Sequence, residues 1–186
     1  MIFINLQHIF LLVSLISVSY CGCPQFPNGT YTKVNWWECV QGNLTISSIN
    51  ILTENGNSEY PVQFRKAFYV SIDGENHGMP FTEPKLSMTV WTFGGWMGCS
   101  WHEVPTFGML NNLDACKYGA QCPIPTGKIN VKAKIDASRD TMLFSLLKNN
   151  ATYQVRYSIT DNKTKEQICV VVQARCLTEE TTSTDI

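Results

Sequence analysis

The chain has 186 residues, a formal net charge of −1 and 16% charged residues. It carries no clustered Lys/Arg run, which excludes the basic face that nucleic-acid binding requires. Eight cysteines point to an oxidising compartment and a disulfide framework rather than to a catalytic thiol.

Residues 1–19 read as a secretory signal peptide. The apolar run Ile9 to Val18 has the length of a hydrophobic region, and small residues follow it. It is shorter than the ~20 apolar residues of a membrane span. No Lys or Arg precedes it, which is atypical. Cleavage after Ser19 and cleavage after Cys21 both fit, and the second would leave an odd number of cysteines. The mature chain, of roughly 165 residues, is the size of one domain. Four glycosylation sequons agree with secretion: Asn28-Gly-Thr30, Asn43-Leu-Thr45, Asn150-Ala-Thr152 and Asn162-Lys-Thr164. Together these features predict a secreted, extracellular or lysosomal glycoprotein.

The elements that follow are strands. Leu44 to Ile51 alternates apolar and polar residues but slips register once. Phe68 to Asp73 and Leu86 to Thr92 alternate less cleanly. Ile129 to Asp136 and Tyr153 to Thr160 alternate with strict period two. Ile168 to Val172 is continuously apolar apart from its cysteine and predicts a strand buried on both faces. Turn clusters at Glu54–Ser58, Asp73–Gly78, Phe93–Trp96 and Thr160–Thr164 separate them. Asp136 to Lys148 has no clear period and fits a loop, a helical turn or a further strand. The domain is expected to span 20–176, with 177–186 an acidic, Thr-rich disordered tail. That tail matches neither a lipid-anchor signal nor an ER-retention signal.

Six to eight strands in one domain imply an all-β sandwich or barrel. The Tyr that stands two residues before the second Cys of true immunoglobulin domains is missing at every candidate here. Cysteine pairing does not follow from spacing, since eight cysteines allow roughly a hundred connectivities. Zinc is a weak alternative, because no two close Cys pairs occur and no His lies near Cys116 or Cys122.

Enzyme readings find little support. There is no Gly-x-Ser-x-Gly elbow and no phosphate loop. His102-Glu103 begins like a zinc-protease motif but lacks the second His, and Pro105 would break the required helix. Asp73 and Glu75 flank Gly74 in an expected turn, which explains them without calcium. Nothing points to a glycosidase carboxylate pair. No catalytic residue, metal or cofactor is expected.

Three segments carry a resemblance. The first is Val104-Pro-Thr-Phe107-Gly-Met-Leu110 running into Asp114-Ala-Cys116 and then Cys122-Pro123. The second is Tyr153 to Asp161 followed by Gln167-Ile-Cys169-Val-Val-Val172. The third is Val34-Asn-Trp36-Trp-Glu-Cys39. Over roughly Trp36 to Cys176 the chain resembles the ML lipid-recognition family, which includes the Niemann–Pick type C2 sterol carrier and the ganglioside activator. The resemblance implies an immunoglobulin-like two-sheet antiparallel β-sandwich with an apolar cavity between the sheets. It implies a lipid as partner and no covalent chemistry. It also implies disulfides Cys39–Cys169 and Cys116–Cys122. Cys21, Cys23, Cys99 and Cys176 have no clear counterpart, and a Cys23–Cys176 pair would staple the termini. The insert Thr92 to Trp101 is longer and more aromatic than in the sterol carriers, so sterol, phospholipid and glycolipid all remain open.

By the same resemblance, Val104, Phe107 and Leu110 are expected to line the lipid slot, with Ile124 and Val131 beside them. Val70, Ile72, Val90 and Tyr157 sit on strands as inward-facing candidates. Ordinary core packing is the alternative for all of these residues, and it explains the strand residues slightly better than a ligand does. Trp96 and Met97 follow two glycines and are expected to touch a membrane interface transiently, where amphipathic rings settle. The alternative is a Trp folded back over the domain. The rival function is an adhesion or receptor-binding sandwich with a filled core.

Overall fold

The structure, a computed structural model, describes residues 22–95, 98–136 and 144–179. The expected signal peptide with Cys21, and the membrane-contact pair Trp96 and Met97, lie outside the described residues. Among the described residues, ten strands form two sheets. The larger sheet runs in the order β1(Asn35–Glu38), β10(Gln167–Leu177), β9(Ala151–Asp161), β5(Pro84–Phe93), β6(Trp101–Glu103). Two short strands extend it: β3(Val62–Gln63) beside β10 and β7(Leu113–Asp114) beside β5. The smaller sheet is β2(Leu44–Thr53), β4(Phe68–Asn76), β8(Gly127–Ile135). All pairings are antiparallel except β3 with β10. The chain is thus an all-β two-sheet sandwich, as its alternating sequence requires.

Particular residues explain the strand details. The register slip in β2 is a β-bulge between Ile46 and Ser48. Opposite it on β4 stands Gly74, where a Cβ would meet the Thr45 carbonyl oxygen at 2.4 Å. Any side chain there would force β2 and β4 apart, so the glycine belongs to the sheet. This corrects the expected turn at Asp73–Gly78: β4 continues through Asn76, and Asp73 and Glu75 are strand residues on it. Asn130, and after it Ser48, donates to the Asp73 carboxylate and keeps its pKa below the ordinary value.

The domain also extends past the expected boundary at 176. Leu177 pairs with Gln63, and Thr178 is buried, its carbonyl accepting from Arg65 Nε at 2.7 Å. Asn149 Oδ1 accepts from Thr178 N–H at 2.9 Å and from Glu179 N–H at 3.2 Å, which holds this end of the chain. Residues 180–186 lie outside the described set.

Among the described residues, three disulfides join Cys23–Cys99, Cys39–Cys169 and Cys116–Cys122. The staple Cys23–Cys176 is not formed, and strand parity gives the reason. Val170, Val172, Ala174 and Cys176 point between the sheets, whereas Cys169 points to the outer face. Cys23 runs beside the β5–β6 hairpin, 3.7 Å from the position of a Cβ on Gly94, and bonds Cys99 there. Cys176 is a free, buried thiol.

Candidate functional site

The two sheets are not filled evenly. One end is solid. There Leu44, Ile46, Ile129, Phe81, Ile124, Ile159 and Ile168 form a continuous core. The Cys116–Cys122 loop packs against this core: Phe81 and Ile124 exchange backbone hydrogen bonds of 2.9 and 3.0 Å, and Ala115 and Ala120 are buried in it. Gly119 in the loop has φ +97°, and a Cβ on it would stand 2.6 Å from the Lys134 nitrogen. Glycine therefore lets the loop lie directly on β8.

The opposite end is hollow. Here β2 and β8 finish, at Thr53 and Ile135, while β4 and β9 begin, at Phe68 and Ala151. A cavity of about 160 Å³ lies between the sheets. From the smaller sheet it takes Ile51, Phe68, Val70, Ile72 and Ile135. From the larger it takes Met88 and Val90, then Tyr153, Val155 and Tyr157, then Val170, Val172, Ala174 and Cys176. Val62, Phe64, Leu110 and Leu147 complete it. The strand residues recur at every second position, so the period-two pattern itself turns them inward.

Aromatic rings gather at this end. Phe64 stacks on Phe68 with centroids 5.8 Å apart, and lies 5.9 Å from Tyr153. The Tyr153 hydroxyl donates to the Lys148 carbonyl at 3.1 Å and also accepts from the Lys148 N–H. Burial pushes its pKa up to about 12. Tyr157, four residues further into the sandwich, is 7% exposed. Burial pushes its phenol up to about 12 as well. The Cys176 thiol, raised further by complete burial, donates to the Ala174 carbonyl at 3.7 Å.

The structure separates the expected lining residues into two groups. Val70, Ile72, Val90, Leu110 and Tyr157 line the cavity. Four others do not. Ile124 and Val131 are buried in the solid end. Val104 is buried beside Val90, its N–H bonded to the Val90 carbonyl at 2.8 Å, and packs behind the cavity wall. Phe107 is 72% exposed. Its φ of 50° and the +79° of Gly108 make a tight reversal that turns the ring out to solvent. The proline-bounded run thus contributes one wall residue, Leu110. Sequence reasoning missed the whole β10 face, because a continuously apolar strand does not say which of its faces meets a void. It also missed Phe64 and Leu147, which lie in irregular segments without periodicity.

The remaining polar candidates do not assemble. His102 Nε2 lies 3.1 Å from Ser100 Oγ on the surface. Among the described residues no group of three or more His, Cys, Asp or Glu is placed to hold a metal. Of the sequon asparagines, Asn28, Asn43 and Asn162 are exposed and Asn150 is half-buried, its Oδ1 accepting from Arg175 Nε at 2.7 Å.

No protein-family model and no curated sequence matches the chain. Among solved structures, the chain is similar to the crystal structure of a Niemann-Pick type C2 protein from Japanese carpenter ant. The identity is 15% and the TM-score 0.45, over 76% of this chain and 98% of that one. It is also similar to the C-terminal domain of wzt at 9% identity and a TM-score of 0.41, over 84% and 83% of the two chains. Likenesses this distant carry no inference about function, which rests below on the cavity and the chain's own residues.

Proposed function

We propose that this protein is a secreted or lysosomal lipid-binding protein of the ML type, holding the apolar part of a lipid between its sheets. The observation that supports this reading is the unequal core: one end of the sandwich is packed solid, and the other encloses an almost wholly apolar cavity. Three disulfides suit an oxidising compartment. The protein needs no catalytic group for this role. Each CH₂ taken from water gains about 0.8 kcal/mol, so a lipid chain supplies the binding energy and the wall supplies selectivity through shape.

The cavity of about 160 Å³ is close to the ~150 Å³ of an engineered site that holds one benzene. A sterol ring system or a full acyl chain is larger. Binding either one requires the sheets to separate further at the hollow end, with the Phe64 ring that bridges Phe68 and Tyr153 moving aside.

The test is to purify the glycosylated protein from a eukaryotic secretion system and analyse its organic extract by mass spectrometry. Stoichiometric sterol, phospholipid or glycolipid supports the reading and names the class. A clean extract, with no uptake of fluorescent lipid after delipidation, overturns it in favour of an adhesion or receptor-binding sandwich.

A further inference from the structure

One polar atom in the cavity wall has no partner. Tyr157 is 7% exposed and lines the cavity from β9. Its hydroxyl makes no hydrogen bond with any described residue, whereas that of Tyr153 is held by both backbone groups of Lys148. No buried side-chain nitrogen or oxygen among the described residues is both sealed from open space and unpartnered. The unpaired phenol of Tyr157 therefore borders open space, and the open space that its residue lines is the cavity. The cross-strand neighbours of Tyr157 are Met88 and Val170, both wall residues that offer no strong acceptor.

Position adds to this. Tyr157 lies four residues deeper than Tyr153, about 13 Å along the strand. It belongs to the core cluster of the solid end, and so stands at the cavity floor. Leaving a buried hydroxyl unpaired is costly. A site whose floor carries such a group favours a ligand that brings a partner to it.

We propose that the ligand enters with an oxygen-bearing end first, and that a neutral hydroxyl or carbonyl on its leading end bonds the Tyr157 hydroxyl at the cavity floor. The ligand class is then an apolar molecule with a hydrogen-bonding oxygen on its inserted part, such as an oxygenated ring or chain, and not one that inserts a plain hydrocarbon tail. The oxygen is neutral because an unpaired carboxylate would not survive this apolar wall. This inference rests on the cavity-binding reading above.

The experiment uses the delipidated, glycosylated full protein and two probes of nearly equal shape, cyclohexanone and methylenecyclohexane. Affinities for both are measured on wild type, Tyr157→Phe and Tyr153→Phe. Wild type should favour the ketone, relative to the alkene, by about five- to tenfold more than Tyr157→Phe does. Tyr153→Phe should leave the ratio as in wild type. An unchanged ratio in Tyr157→Phe, with both probes bound, overturns the inference while leaving the cavity as a binding site. Failure of both probes and of fluorescent lipid to bind wild type removes the lipid-binding reading itself. If Tyr157→Phe does not fold, wild type alone decides. The carbonyl stretch of bound cyclohexanone should lie at the lower frequency of a hydrogen-bonded ketone, and a stretch at the position found in alkane refutes the bond.

Discussion

Filling the cavity should stabilise this protein and abolish its binding at the same time. Ala174 has the smallest side chain among the cavity-lining residues, is 6% exposed, and sits on β10 opposite Tyr153. An empty apolar cavity costs about 24 cal/mol per Å³. For about 160 Å³ that is about 4 kcal/mol of unrealised packing. Ala174→Leu, taking up about half of the space, should recover ~2 kcal/mol. That corresponds to a rise in Tm of about 4–8 °C for a domain of this size. Thermal unfolding of the delipidated protein followed by circular dichroism measures the first effect, and uptake of fluorescent lipid the second. The expected pair of results is a higher Tm with uptake lost. A lower Tm with uptake retained would refute the reasoning. It would mean that position 174 has no room, as overpacking costs ~1–3 kcal/mol, and that lipid goes elsewhere.

Other consequences follow from single groups. Tyr153 and Tyr157, both raised to about 12 against 10.0 for the free phenol, stabilise the fold fully below pH 10. That contribution is lost as pH rises from about 10 to 12, because the unfolded chain ionises first. An alkaline titration of Tm should therefore fall over that window, and more shallowly in Tyr157→Phe. Asp161 is fully buried. Burial would raise its carboxyl, but N–H donors of Thr164, Glu83, Lys163 and Thr82 outweigh it and hold the pKa at about 2. Its contribution is present above pH 4 and lost as pH falls toward 2, so Asp161→Asn should flatten the acid limb of the same curve. Breaking Cys39–Cys169, which spans 130 residues, should cost about 5 kcal/mol in the chain-entropy model; a denaturant midpoint unmoved in the double Ala variant would contradict this. Phe107→Ala should change neither stability beyond about 0.5 kcal/mol nor lipid uptake, since the ring faces solvent; lost uptake would return Phe107 to the site.

The strand alternations at 44–51, 129–136 and 153–160 were readable because a half-buried strand must alternate, and even the slip in β2 appears as a bulge. The all-β class follows from sequence alone for that reason. So does a disulfide-built protein, because eight cysteines without metal-ligand spacing have few other uses. Where the core ends was not readable. Inward-facing residues look identical whether they meet a neighbour or a void, so Val70 and Val131 are equivalent in sequence. Val70 lies beside the cavity, and Val131, two pairing steps from Ala133 toward the solid end on neighbouring β8, is packed in the core. The pairing of Cys23 also needed the fold, since it depends on which face of β10 carries Cys176. The isolation of the Tyr157 hydroxyl needed it too. Alternation places a side chain on one face of a sheet, and only the separation of two sheets decides what that face meets.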